Sequence, residues 1–396
     1  MRGTKLVNWG SFDIDNFGDL LFPFLVEHHL GRRYDEIVHA SPTATRSVWP
    51  DARPTVTITG ALARGGVGTL LVGGGNLISW TRSSSKNYAA DPSLAAIVHK
   101  SFSLVPYILR SKFGIPYAYN YVGVTKTLPP SRRSLIKAAV ETASYISCRD
   151  EASVRHLQAC GVTMPIALGY DSAIGIAAVF DRAALREHYD SQVRESYGIP
   201  SVSRLAAIHV KRRYLDNQFA DLDRVIRTLE LNGLHVVCLP LGLCHGDDEV
   251  LADGRFGGHS ATVVHHPRSL RDILSILSVA ECSIGSSLHG AIVSLSYGNA
   301  VGLIADEERS GLWKFSGFLA QLGLSTCLFK TWTDAAKVLE SSGSSALGAA
   351  DPRKLARLGG HKPWDSIHER LRASDSVGPR LVSDAEVRAC VEYYGL

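Results

Sequence analysis

Residues 282–304, CSIGSSLHGAIVSLSYGNAVGLI, decide the fold. The stretch opens on a short apolar run and breaks at Gly285-Ser286-Ser287. It then spaces apolar residues as a helix does, and returns to an apolar run at 299–305. Strand, helix and strand packed into about 25 residues make a crossover between parallel strands. Ser286 or Ser287 can cap the helix. Gly285 and Gly290 let backbone or ligand come close. The first N–H groups of such a helix have no partner within it, and its dipole favours an anion. His289 lies on that first turn. A plainer reading is also open: serine caps, glycine turns, and the histidine is a satisfied residue behind them.

The same alternation runs through the second half. Strands are expected at 204–210, 234–242, 261–267, 281–287 and 299–305, with helices at 217–232, 247–253, 269–280 and 288–297. The first half repeats the pattern. KLVNW (5–9) reads as a strand, and GDLLFPFLVEHHLG as a helix that starts near Asp19 and stops at Gly31. GTLLVGGG (68–75), PYAYNYVGV (116–124) and ASYISCRD (143–150) read as strands. EASVRHLQACG (151–161) reads as an amphipathic helix, and PIALGYDSAIG (165–175) carries a last short strand. Between 176 and 203 the texture turns charged and then Pro/Ser-broken, which places a boundary near 178–200.

The predicted class is therefore α/β: two doubly wound parallel sheets in tandem, at 1–180 and 200–345, facing a cleft. A helical tail follows at 346–396. Ligands of such sheets bind beyond the carboxyl ends of the strands.

Composition narrows the function. The 396 residues are 45% hydrophobic and 20% charged, an ordinary balance for a globular protein. No apolar run reaches the roughly 18 residues that span a bilayer, and no leader of about 7–15 apolar residues follows Met1. The expectation is a cytoplasmic protein. A net charge of +4 without long basic runs excludes a nucleic-acid binder. Seven cysteines without C-x-x-C spacing are expected as buried free thiols.

Polar residues collect at predicted strand ends. Asn16, Gly18 and Asp19 follow the first strand, and Gly74, Gly75 and Asn76 another. Arg149 follows the next, and Asp171 ends the last strand of the first half. His209, Arg212 and Arg213 follow the first strand of the second half. CHGDDE (244–249) invites a metal reading, but acids there suit a helix N-terminus, and no metal is expected.

In this order the motifs resemble the polysaccharide pyruvyltransferase family. NFGDLLFPFLVEHHLG, GGGNLIS, SCRDEASVRHLQACGV, LGYDSAIG and LRDILSILSVAECSIGSSLHGAIVSLSYGNAVGLI carry the resemblance. GLWKFSGFLAQLGLS follows, with Lys314 where the family often has a lysine. Ser287 stands where many members have arginine, which resembles the exopolysaccharide branch. Arg149-Asp150-Glu151 replaces that branch's usual R-G-P, and HVKRRYLD is denser in charge than the pattern.

The resemblance implies two Rossmann-like domains in a GT-B-like arrangement, and transfer of pyruvate from phosphoenolpyruvate to two sugar hydroxyls as a cyclic ketal. The co-substrate carries a phosphate and a carboxylate, so it needs cationic and N–H partners. His209, Arg212, Arg213, Ser286, Ser287, Leu288 and Lys314 are the expected donor side. Asn16, Gly18, Gly74, Gly75, Asn76 and Arg149 are the expected acceptor side. His289 is the expected general acid. Asp19, Asp171 and His209 each qualify to take hydroxyl protons. The acceptor is expected as a nucleotide-linked or lipid-linked sugar, or a glycosylated small molecule; no cofactor is implied, and a homo-oligomer stays open. Two rival readings are a GT-B glycosyltransferase with a nucleotide-sugar donor, for which Glu307 or Glu308 would hold a ribose, and a non-catalytic sugar-binding protein.

Overall fold

A computed structural model describes residues 5–125, 128–201, 204–215, 218–252, 260–310, 313–374 and 385–396. The end residues of two predicted helices (217 and 253) and residues 375–384 of the predicted helical tail lie outside that set.

Among the described residues, twelve strands form two six-stranded parallel sheets. The first is built from β1 (Lys5–Trp9), β2 (Glu36–Ala40), β3 (Val67–Gly73), β4 (Tyr117–Val122), β5 (Tyr145–Cys148) and β6 (Ala167–Leu168), in the order β2-β1-β3-β4-β5-β6. The second is built from β7 (Leu205–His209), β8 (His235–Cys238), β9 (Thr262–Val263), β10 (Cys282–Gly285), β11 (Ala300–Ile304) and β12 (Leu328–Phe329), in the order β12-β11-β10-β7-β8-β9. Central strands such as β1, β7 and β10 are buried along their whole length. Helices cover both faces, so such strands read as continuous apolar runs without alternation.

In each sheet the winding direction reverses once. The first reverses between β1 and β3, and the second between β7 and β10. Loops leaving neighbouring strands diverge at such a point and open a crevice at the carboxyl ends. The motifs after β1, β3, β7 and β10 are among those singled out from the sequence.

The two halves are tied together. Asn16 forms an antiparallel bridge with Gly242. Phe17 N donates to Leu241 O at 2.8 Å, and Cys244 N to Asp15 O at 3.1 Å. Asp51, in the first half, accepts from Leu270 N and Arg271 N at 2.8 and 2.9 Å, at the start of the helix Leu270–Val279. One apolar core runs through both halves, from Leu6 and Leu71 to Val237 and Ile292.

The connecting segment packs on the second half: His188 Nε2 and Tyr197 OH reach the two oxygens of Asp272 at 2.8 and 2.6 Å. The tail returns to the first half. Trp364, in the helix His361–Arg372, stacks on His29 at 4.7 Å, and Tyr394 meets Trp9 edge-on at 6.1 Å. The outgoing and returning chain touch through backbone at Gly175 and Gly359, where a Cβ on Gly359 would fall 2.5 Å from Gly175 Cα.

All seven cysteines are free and buried, as expected. Among the described residues, no helix is long and apolar enough to cross a membrane.

Candidate active site in the cleft between the sheets

The two reversal points face each other across a cleft with about 1240 Å³ of atom-free space. The helix Leu288–Ser296 begins there. Ser287 caps it, its Oγ accepting from Gly290 N at 3.2 Å, and the residues behind are almost all buried. β10 delivers the helix at this height because Gly285 lies against His209 in β7, so closely that a Cβ would sit 2.1 Å from His209 O.

The first turn drives His289 into the other half of the chain. Its ring meets Phe22 edge-on at 5.5 Å. A Cβ on Gly18 would fall 1.8 Å from His289 Nδ1, so only glycine admits the ring. His289 Nε2 lies 3.5 Å from Asp171 Oδ2, and the same oxygen accepts from Arg149 Nη1 at 2.7 Å. Asp171 Oδ1 accepts from Ala173 N at 3.1 Å. Asp171 is 1% exposed. Burial by itself raises a carboxyl pKa, but the His289 and Arg149 charges overcome it and hold Asp171 well below the usual range.

β4, beside the strand that carries Arg149, is irregular. Its register with β5 shifts between Tyr119 and Val122, and Tyr121 has a φ of 48°. A left-handed tyrosine is strained, and such strain persists where packing over-determines it. The shift brings Gly123 against Asn76 Oδ1 and the Arg149 guanidinium, with no room for a Cβ.

Asp19 and Gly75 face the cleft from the first half. Gly75 has a φ of 82°, and a Cβ there would lie 2.8 Å from Asp19 Oδ1. Burial raises the Asp19 pKa, opposed by His289, Arg149 and Lys314.

Lys211, Arg213, His245 and Lys314 line the cleft from the second half. Burial lowers the Lys314 pKa, helped by Lys211, Arg149 and Arg213. Lys211 is lowered by burial and by Arg213, against Asp247. Burial, with Lys211 beside it, pushes His245 down to about 3, so this ring is neutral. Basic groups gathered this closely depress one another, as they do at many functional sites.

The structure sorts the predicted residues. Asn16, Asp19, Gly75, Asn76 and Arg149 line the cleft from the first half. Arg213, Ser287, Leu288, His289 and Lys314 line it from the second. Gly18 and Gly74 sit behind the lining: the first admits His289, and the second, at φ 81°, packs on the Phe22 ring. Asp171 stands behind His289. His209 turns away, its Nε2 2.7 Å from Asp247 Oδ2. Ser286 is fully buried. Arg212 is exposed and does not line the cleft. The CHGDDE segment divides its side chains among His209, the cleft and Lys86, whose Nζ lies 2.5 Å from Glu249 Oε1. Among the described residues no group of three or more metal-ligating side chains forms.

Sequence reasoning missed Lys211 and His245. HVKRRYLD is dense in charge, but which of its basic residues turns inward depends on how the short helix Arg212–Leu215 leaves β7. It also missed the hydroxyl-rich segment 79–88, which carries no motif.

The model of the polysaccharide pyruvyl transferase family matches residues 16–301. Among curated proteins, no sequence matches the chain significantly. The fold is similar to that of UDP-GlcNAc 2-epimerase from Neisseria meningitidis, solved bound to UDP-GlcNAc. That likeness has a TM-score of 0.57 at 12% identity and covers 94% of this chain and 100% of that one. The corresponding epimerase of Methanocaldococcus jannaschii, in complex with UDP-GlcNAc and UDP, gives 0.53 at 11% identity over 90% and 98%. At such identities the likeness speaks for the fold, two Rossmann-like halves in a GT-B arrangement. The match across 16–301 takes in every cleft-lining residue named above except Lys314, and it makes this chain a member of the polysaccharide pyruvyl transferase family.

Proposed function

We propose that the protein transfers pyruvate from phosphoenolpyruvate to two hydroxyls of a sugar, closing a cyclic ketal. The observation that carries this reading is the meeting of Lys211, Arg213 and Lys314 with His289 at the start of the helix Leu288–Ser296. A donor with a phosphate and a carboxylate, and a carbon that must be protonated, needs that set.

In this reading His289 gives a proton to the methylene carbon, and C2 gains cationic character. A sugar hydroxyl oxygen bonds to C2 and loses its proton. The C2–O bond to phosphate breaks, and a second hydroxyl closes the ring. Two hydroxyl protons are released: one replaces the proton given to the methylene, and the other leaves with inorganic phosphate. Of the three candidates for the base, Asp19 lines the cleft, whereas Asp171 and His209 are engaged behind it. Asp19 is therefore assigned as base, and Asp171 as the residue that positions His289 and Arg149. A phosphoenolpyruvate donor accords with a cytoplasmic site of action.

A nucleotide-sugar donor is less well supported. Glu307 Oε1 accepts from Phe315 N and Ser316 N at 2.8 and 3.1 Å, and Glu308 pairs with Lys330 at 2.9 Å. Both carboxylates proposed for a ribose are thus engaged. The test is phosphate release from phosphoenolpyruvate across a panel of sugar acceptors. Acceptor-dependent release is expected; none across a broad panel counts against the reading.

A further inference from the structure

Loss of phosphate from C2 needs a second acid. A phosphate monoester has its second ionisation at about pH 6 and is mainly a dianion at neutral pH. When the C2–O bond breaks, its electron pair goes to the phosphate oxygen. The group would leave as a trianion unless that oxygen receives a proton. By then His289 has given its own proton to the methylene carbon.

His245 stands among the groups suited to hold that phosphate. It lines the cleft from the second half and is exposed there. Lys211 and Arg213 bear on the ring from the segment after β7, and Lys314 from the start of the helix Lys314–Leu322. Asp247 bears on it from the start of the helix Asp247–Ala252. From the first half Lys86 reaches the adjoining turn, where it pairs with Glu249. The other two histidines at this point are committed. His209 Nε2 lies 2.7 Å from Asp247 Oδ2, and His289 Nε2 lies 3.5 Å from Asp171 Oδ2.

The backbone fixes where the ring sits. Leu243–His245 form one 3₁₀ turn, which ends at Gly246 with a φ of 76°. His245 N donates to Gly242 O at 2.9 Å. Gly242 is bridged to Asn16 of the first half, and a Cβ on it would fall 3.2 Å from His245 Cδ2. The ring therefore rests on the backbone that joins the two halves.

Charge decides when this imidazole can act. The protein mass around the cleft, with Lys211, Lys314 and Arg213, lowers its pKa against the pull of Asp247, so the ring starts neutral. The phosphate and carboxylate of a bound donor offset those cations and let the ring accept a proton. An imidazole takes a proton as base and returns it as acid within one cycle. The ammonium groups beside it begin with their protons and can only give.

We propose that His245 is a catalytic residue that relays the proton of the first sugar hydroxyl to the departing phosphate. The inference rests on the pyruvyl-transfer reading. As the hydroxyl oxygen bonds to C2, its proton passes to the imidazole, which becomes imidazolium. The C2–O bond to phosphate breaks, the oxygen takes that proton, and hydrogen phosphate leaves with the ring neutral again. The second hydroxyl oxygen then bonds to C2 and gives its proton to Asp19, which makes good the one spent by His289.

The experiment follows phosphate release from phosphoenolpyruvate with the best acceptor of the sugar panel, in the native protein, in His245→Ala and in His245→Gln. Both variants are expected to lose about 10²–10⁴ in kcat, with KM for phosphoenolpyruvate within about threefold of native. Added imidazole is expected to restore kcat about tenfold in His245→Ala, where it has room on Gly242, and to do nothing in His245→Gln. Native kcat in either variant, or a loss in His245→Ala that imidazole leaves unrestored, overturns the inference and leaves the reaction standing. No acceptor-dependent phosphate from the native protein overturns the reaction, and the inference with it.

Discussion

His289 and Asp171 come from opposite halves of the chain and meet 3.5 Å apart, on a carboxylate oxygen that also holds Arg149 at 2.7 Å. The contact exists only while the two sheets keep their present relation. It makes the orientation of the imidazole a direct report of how the halves are packed.

Removing the carboxylate leaves the buried Arg149 with only the Asp150 carboxylate, 3.8 Å away. Breaking one side of such a buried pair costs about 3–5 kcal/mol. Asp171→Ala is expected to lower stability by that order in denaturant unfolding. A midpoint equal to that of the native protein would show that the pair carries no weight.

His289→Gln keeps bulk between Gly18 and Phe22 but removes the acid. A positioned general acid contributes about 10²–10⁴ in rate. The variant is expected to lose kcat in that range in the phosphate-release assay, with a thermal midpoint close to native. Native kcat in His289→Ala would exclude the imidazole as the acid.

Donor binding should take up protons. Lys314 and Lys211 have pKa values lowered by burial and by neighbouring cations. An anion placed among them reverses the repulsion and raises both values. Above the lowered values the ammonium groups are partly deprotonated and must be protonated as the donor binds. Titration calorimetry in buffers of different ionisation enthalpy is expected to show net uptake, growing with pH. Net release would contradict this assignment of the donor site.

Gly18→Ala tests the seat of the imidazole. Its Cβ would fall 1.8 Å from His289 Nδ1, so the ring or the backbone has to move. Overpacking of this kind costs about 1–3 kcal/mol. Lower stability and a large fall in kcat are expected together; a variant with native kcat would mean the ring is free to shift.

Asp247 predicts sensitivity to acid. Burial would raise its pKa, but His209 and Lys211 outweigh that and hold it at about 2, below the unfolded value of about 3.9. A depressed carboxyl gives stability that is complete above the unfolded value and is lost as pH falls toward the folded one. Asp247→Asn should therefore be less stable than the native protein at pH 6, with the gap narrowing by pH 3. Urea midpoints at the two pH values check this; a constant gap would exclude the linkage.

Much of the fold was legible before any coordinates. β1 and the helix starting at Leu288 fall within a residue of their predicted positions. Several elements were not read, three of them for reasons the structure shows. β2 is a half-exposed edge with a mixed pattern, and β12 has only two residues. The helix Pro92–Phe113 is buried on most of its surface from Leu94 to Leu109 and carries Pro106 inside, which blurs its periodicity.

The site was legible as a set of strand ends, not as an arrangement. Sequence alone determined two parallel sheets and which polar residues stand at their strand ends, because burial of a strand or helix face is written in local spacing. It could not say that Lys211 and Arg213 face the cleft while Arg212 does not, or that Asp19 faces it while Asp171 stands behind His289. Those facts depend on how far one sheet is turned against the other. That angle is fixed by a core shared between residues far apart in the chain, and no local pattern encodes it.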